Sequence, residues 1–134
     1  MENYADAAIR HWKDANLLED NNAVENADQL LGLAAECAIK SVLEKFPSFI
    51  NDGRLGVFYK QHINVLWGRV NHQSYHRAYP RLAAFLKTSN DFDDWDVEQR
   101  YFSSGHLTNE KLLIHKDAAK RILGASNLLG VKTK

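Results

Sequence analysis

Between Arg69 and Arg81 the chain reads Arg-Val-Asn-His-Gln-Ser-Tyr-His-Arg-Ala-Tyr-Pro-Arg, which holds three arginines, two histidines, two tyrosines and no acid. Arginine guanidinium groups grip phosphates through two nitrogens at once. Tyrosine rings offer faces on which bases stack. Arg69, His72, Tyr75, His76, Arg77 and Arg81 are therefore the candidate nucleic-acid contacts. The competing reading is a solvated face whose bases pair with acids elsewhere. His72 and His76 also stand four residues apart, the spacing that puts two metal ligands on one helix face. No acid lies between them and no third ligand is near, so no metal is expected. A second candidate is Arg100-Tyr-Phe-Ser-Ser-Gly-His106. Together, an arginine and a histidine cleave RNA without a metal. The imidazole moves the proton and the guanidinium steadies charge on the phosphorus centre. Six residues of continuous helix would leave the two on different faces, and Ser103-Ser-Gly105 reads as a turn. A structural role for Arg100 against the acids at 91–98 competes with the catalytic one.

The elements that must carry these groups are helical. Ala5, Ala8, Ile9, Trp12 and Ala15 make the apolar face of a first helix, capped by Asn3, with Asp6 near its positive end. Glu19 to Asn22 is the break. A second helix runs from about Asn22 to Lys45, with Ala27, Leu30, Leu31, Ala34, Ala38, Val42 and Leu43 on its stripe. Glu36 and Lys40 pair four apart along it, Gly32 allows a neighbour to come close, and Pro47 stops it. Residues 47–56 read as a loop. A third helix is expected from Val57 to Val70, burying Phe58, Ile63, Val65 and Leu66. A fourth opens at Pro80 and carries Leu82, Phe85 and Leu86. The acidic stretch at 89–98 reads as a loop or a capped short turn. A last helix starts at Thr108, buries Leu112, Leu113, Ala119, Ile122 and Leu123, pairs Asp117 with Arg121, and gives way by Gly130. Trp12, Trp67 and Trp95 are expected core anchors, and Cys37 a small buried apolar side chain. Short loops would pack successive helices antiparallel. No Asn-Gly hairpin and no long alternating strand appears.

The whole chain has 134 residues, 17 bases and 17 acids. Zero net charge argues against a polyanionic partner, but its distribution does not. Residues 1–53 hold ten acids and four bases, 54–90 six bases and no acid, 91–98 five acids, and 99–134 seven bases and two acids. Such asymmetry is informative where the total is not. The length suits one domain with a real core. One cysteine excludes an internal disulfide and a multi-cysteine zinc site. No apolar run reaches membrane-spanning length, and the first residues lack a secretory pattern, so a cytoplasmic address is expected. There is no phosphate loop, dinucleotide fingerprint or nucleophile elbow, and no cofactor is expected.

Several segments line up in order: Ala7-Ala-Ile-Arg-His-Trp-Lys-Asp-Ala-Asn-Leu-Leu18, Ala27 to Leu43 with Glu36 and Lys40, His62-Ile-Asn-Val-Leu66, Asp94-Trp-Asp-Val-Glu-Gln-Arg-Tyr101 and Ala118-Ala-Lys-Arg-Ile-Leu123. This order resembles the HEPN domain, the helical family named for higher eukaryotes and prokaryotes nucleotide-binding. The resemblance covers nearly the whole chain. It implies an all-α, four- or five-helix antiparallel bundle over residues 1–134, often dimeric. Family members act as metal-independent RNases in toxin, defence and RNA-processing systems, or as non-catalytic partners of nucleotidyltransferases. The family's RNase motif is an arginine, usually followed by a polar residue, with a histidine four to six residues on. Arg100 and His106 match it by spacing, but Tyr101 follows the arginine and Gly105 precedes the histidine. An Arg-Tyr pair is more like the non-catalytic branch. The expected partners are thus RNA or a nucleotide, a nucleotidyltransferase or antitoxin protein, and a second copy of the chain. The alternatives are a metal-independent endoribonuclease using Arg100 and His106, and a dimerisation domain knit together by its opposite charges.

Overall fold

The computed structural model describes residues 2–129. Five helices form an all-α bundle: α1 (Tyr4–Asp20), α2 (Val24–Leu43), α3 (Ile63–Leu66), α4 (Pro80–Leu86) and α5 (Asn109–Ala125). The long helices α1, α2 and α5 make its frame, with α2 packed between the other two. Local chemistry sets their ends. Asn3 accepts a hydrogen bond from Asp6 N, and Thr108 from Lys111 N, each satisfying an amide that has no partner inside its helix. α1 stops where Asn22 adopts a left-handed φ of 62°, and Ala23 N reaches back to Leu18 O at 2.8 Å. α5 stops in the same way: Asn127 has φ 63° and Leu128 N donates to Leu123 O at 3.0 Å. Asparagine tolerates this conformation better than most residues. The expected stop at Gly130 lies outside the described residues, and α5 has already ended at Ala125.

Alanine dominates where α2 is buried. Ala27, Ala34, Ala35 and Ala38 are closed off from solvent, so α1 and α5 can approach its axis closely. Gly32 goes further. A Cβ there would lie 2.2 Å from Cε2 of Trp95, because the indole lies flat on the missing side chain. Trp95 Nε1 then donates to Asp28 O at 3.1 Å.

The middle of the chain departs from the sequence expectation. Only Ile63–Leu66 of the expected 57–70 helix is α-helical, preceded by a 3₁₀ turn over Val57–Tyr59. Ile63 and Leu66 are buried as expected, but Phe58 and Val65 are exposed, and so is Leu113 on α5. Loops are long rather than short. Aromatic contacts, not helix pairing, hold the stretch from 46 to 95: Phe49 meets Tyr59 edge-on at 5.0 Å, and Trp67 meets Phe85 at 5.3 Å. Within the expected 47–56 loop, Ile50–Asn51 and Arg54–Leu55 pair as a small hairpin. Its turn residues Asp52 and Gly53 both have positive φ, 54° and 76°. Asp-Gly supplies that conformation as Asn-Gly does. The acidic stretch ends in a capped 3₁₀ turn over Val97–Tyr101, with Asp96 accepting from Glu98 N. It is no free loop, since Phe92 and Trp95 are fully buried. Trp67 is also core, whereas Trp12 is only partly buried. Among the described residues, no helix is long and apolar enough to cross a membrane.

Candidate nucleic-acid interface

The acid-free stretch is built around one buried aromatic. Tyr75 is in the core, beside Phe46 and Phe49. It therefore offers no face to a base, which corrects its assignment as a contact. Its hydroxyl is buried without a hydrogen-bond partner among the described residues, and burial pushes its pKa well up. With Tyr75 as the anchor, the 3₁₀ turn His72–Ser74 is capped by Asn71, whose side chain accepts from Gln73 N at 3.1 Å. His76 N donates to His72 O at 3.0 Å.

His72 and His76 consequently line one cavity of about 490 Å³ with Asn71, Gln73, Val70 and Lys87. Burial holds the His72 pKa below its ordinary value, with a hydrogen bond to the Leu86 backbone opposing this and the Lys87 charge adding to it. That favours a neutral ring at pH 7. Its Nε2 is buried and unpartnered among the described residues. His76 Nδ1 lies 3.3 Å from Gln73 O. A carbonyl only accepts, so Nδ1 carries a proton and donates to it. The cavity thus presents an ammonium, two imidazoles and two amides, groups that contact phosphates and base edges.

The other expected contacts go elsewhere. Arg81 enters a separate groove of about 450 Å³ between α4 and α5, lined also by Phe85, Lys120, Arg121, Gly124 and Leu129. Arg69 lies over the exposed Phe58 ring at 4.4 Å and donates to Phe58 O at 3.2 Å. Arg77 is exposed. One expected patch therefore resolves into two cavities and flanking arginines. Neither cavity has a carboxylate in its lining. Two others do: one sets Glu2 and Glu44 against Arg54 and Lys60, the other Glu25 beside Arg100.

Arg100 and His106 engage separate neighbours. The Arg100 guanidinium lies 4.9 Å from the Tyr101 ring centre. His106 packs edge-on against Phe102 at 5.3 Å and has Nδ1 3.1 Å from Ser103 O. Glu25 accepts from Gly105 N at 2.8 Å and sits close enough to His106 to feel its charge. Among the described residues, no hydrogen bond joins Arg100 to His106.

Two polar clusters fell outside the expected site. Glu36 and Lys40 do pair, at 2.8 Å, but they are buried. Glu36 also takes the Nδ1 proton of the half-exposed His62 at 3.0 Å, and Lys40 lies over the Tyr4 ring. This cluster pins α1, α2 and α3 together. The other is His115, fully enclosed between Asp28 at 2.6 Å and Asp94 at 2.8 Å, with Phe92 stacked on its ring. Carboxylates only accept, so both ring nitrogens donate and the ring is an imidazolium. Burial opposes that charge, but the hydrogen bonds and attraction of Asp28 and Asp94 outweigh it and raise the pKa. Among the described residues, no group of three His, Cys, Asp or Glu side chains is placed to hold a metal ion. Burial pushes the Cys37 thiol up to about 11, which leaves it unreactive near neutrality.

Lys87 belonged to the acid-free stretch and was legible there. Lys120 was legible only as part of the basic tail, and Arg121 there and as the partner of Asp117, a pair that forms at 3.0 Å. Compared with known proteins, the chain matches no family model, no curated protein and no solved structure.

Proposed function

We propose that this protein is a HEPN-like cytoplasmic module that binds RNA or a nucleotide through the basic surface built on residues 69–87. In this reading it works as a homodimer, beside a nucleotidyltransferase or antitoxin partner in a toxin–antitoxin or defence system. One observation carries the binding reading. The two cavities that the acid-free stretch helps build have linings of cations, imidazoles, amides and apolar groups, with no carboxylate. Of their cations Arg121 is held by Asp117, but Arg81, Lys87 and Lys120 make no ion pair among the described residues, whereas the cavity of Glu2, Glu44, Arg54 and Lys60 mixes both signs. The all-α bundle and the family-like order of segments support the HEPN reading. RNA cleavage by Arg100 and His106 has less support, because the two side chains contact different neighbours.

The test is fluorescence anisotropy with single-stranded RNA over a salt series. Affinity is expected to fall steeply with salt. Each phosphate contact removed lowers the log–log slope by about 0.7 for a single strand. Arg77→Ala with Arg81→Ala should therefore flatten it by about 1.4. Absence of salt-sensitive binding to RNA and nucleotides alike, or a double variant identical to the parent, refutes the reading.

A further inference from the structure

We infer that the groove between α4 and α5 is a subsite for the terminal phosphate of a nucleotide or an RNA strand, an inference that rests on the binding reading above. Arg81 comes from the start of α4, and Lys120 and Arg121 come from the last turns of α5. These three cations face one groove whose lining has no acid. Asp117 holds Arg121 through Nε at 3.0 Å, which leaves the terminal nitrogens of the guanidinium outside that contact. Asp91 is the other acid close to Arg121.

The number of cations bears on the ligand. A phosphate inside a strand carries one negative charge, whereas a terminal phosphomonoester carries close to two at pH 7. Arg121 is offset by Asp117, but Arg81 and Lys120 make no ion pair among the described residues, and two uncompensated charges match the dianion. The rest of the groove is apolar. Phe85 forms its wall, with the Arg121 guanidinium 5.6 Å from the ring centre, and Leu129 and Ala125 continue it. Gly124 opens the floor: a Cβ built there would meet nothing within 4 Å. A volume of about 450 Å³ is enough for a phosphate with its sugar and part of its base. Cations beside an apolar wall match the two chemistries of a nucleotide end, a phosphate and a base.

Because a Cβ at Gly124 meets nothing within 4 Å, Gly124→Leu starts its side chain in open space on the groove lining, and leucine favours helix over glycine. The experiment measures anisotropy with one RNA sequence made with a 5′-phosphate, with a 3′-phosphate and with neither, and with AMP as competitor. The phosphorylated strand, at one end or both, is expected to bind at least tenfold more tightly than the bare strand. Gly124→Leu and Lys120→Ala are expected to abolish that preference, with circular dichroism showing both variants folded. Competition by AMP that Gly124→Leu removes assigns the site to free nucleotides. Preference for a phosphorylated strand without AMP competition assigns it to strand ends. Equal binding of all three strands with no AMP competition, or a preference that survives Gly124→Leu, overturns the groove assignment and leaves the basic-surface reading standing. If no strand binds and AMP does not either, both fall.

Discussion

Two glycines in helices separate packing from propensity, because one substitution should act on them with opposite signs. Glycine inside a helix costs about 0.8–1 kcal/mol relative to alanine. Gly124→Ala meets open space, so it should recover much of that amount. Gly32→Ala meets Trp95, with Cε2 at 2.2 Å and both Cζ2 and Nε1 at 2.5 Å. The indole would have to recede by more than an ångström to reach ordinary van der Waals distance. It has no free direction, being fully enclosed and tied through Nε1 to Asp28 O. Overpacking of this kind costs about 1–3 kcal/mol. Stretching or breaking the indole hydrogen bond leaves a buried donor, at about 1–3 kcal/mol more. Set against the propensity gain, the net loss is about 1–5 kcal/mol. For a chain of this length that lowers Tm by roughly 4–18 °C, whereas Gly124→Ala raises it by a few degrees. Thermal and urea unfolding followed by circular dichroism reads both. Relief of the Gly32→Ala defect by Trp95→Leu, beyond the sum of the single effects, would locate the cost in that contact. A Gly32→Ala protein as stable as the parent would refute the account of how the 89–96 segment docks on α2.

His115 makes stability depend on pH. Its folded pKa is raised, so the stabilisation it brings is complete below the unfolded value of 6.5 and is lost as pH rises through the folded value. Tm should fall as pH rises above 6.5, and His115→Gln should flatten that fall while lowering stability by about 3–5 kcal/mol at pH 6, since it leaves the buried Asp28 without its cation, while Asp94 keeps Lys111 at 3.8 Å. A pH-independent parent, or a variant with the same slope, would count against the imidazolium. Tyr75→Phe removes a buried hydroxyl that has no partner among the described residues. It should leave RNA affinity unchanged and stability equal or higher by up to about 1 kcal/mol, and weaker RNA binding by a folded variant would return Tyr75 to the interface.

What was legible in the sequence was what neighbouring residues decide. Asn3 and Thr108 cap because each finds its amide three residues ahead. The long helices read clearly because their stripes repeat through many turns. Between 57 and 70 the same rule failed. There Tyr59 packs on Phe49 and Trp67 on Phe85 and Phe92, while Phe58 and Val65 match a helical period without being buried. Tyr75 failed as a contact for a related reason: composition counts a tyrosine as a stacking surface, and only packing says which way the ring points.

The sequence by itself determined the bundle class, the ends of α1, the start of α5, the acid-free block and the room left at Gly32. These follow from periodicity, capping chemistry and charge order, which act over a few residues. Tertiary structure alone decided that Trp95 takes the room at Gly32, that His115 lies between Asp28 and Asp94, and that Arg81 shares a groove with Lys120 and Arg121. Each of those sites joins residues 20 to 90 positions apart. Their proximity comes from the burial of apolar faces elsewhere, and no local spacing records it.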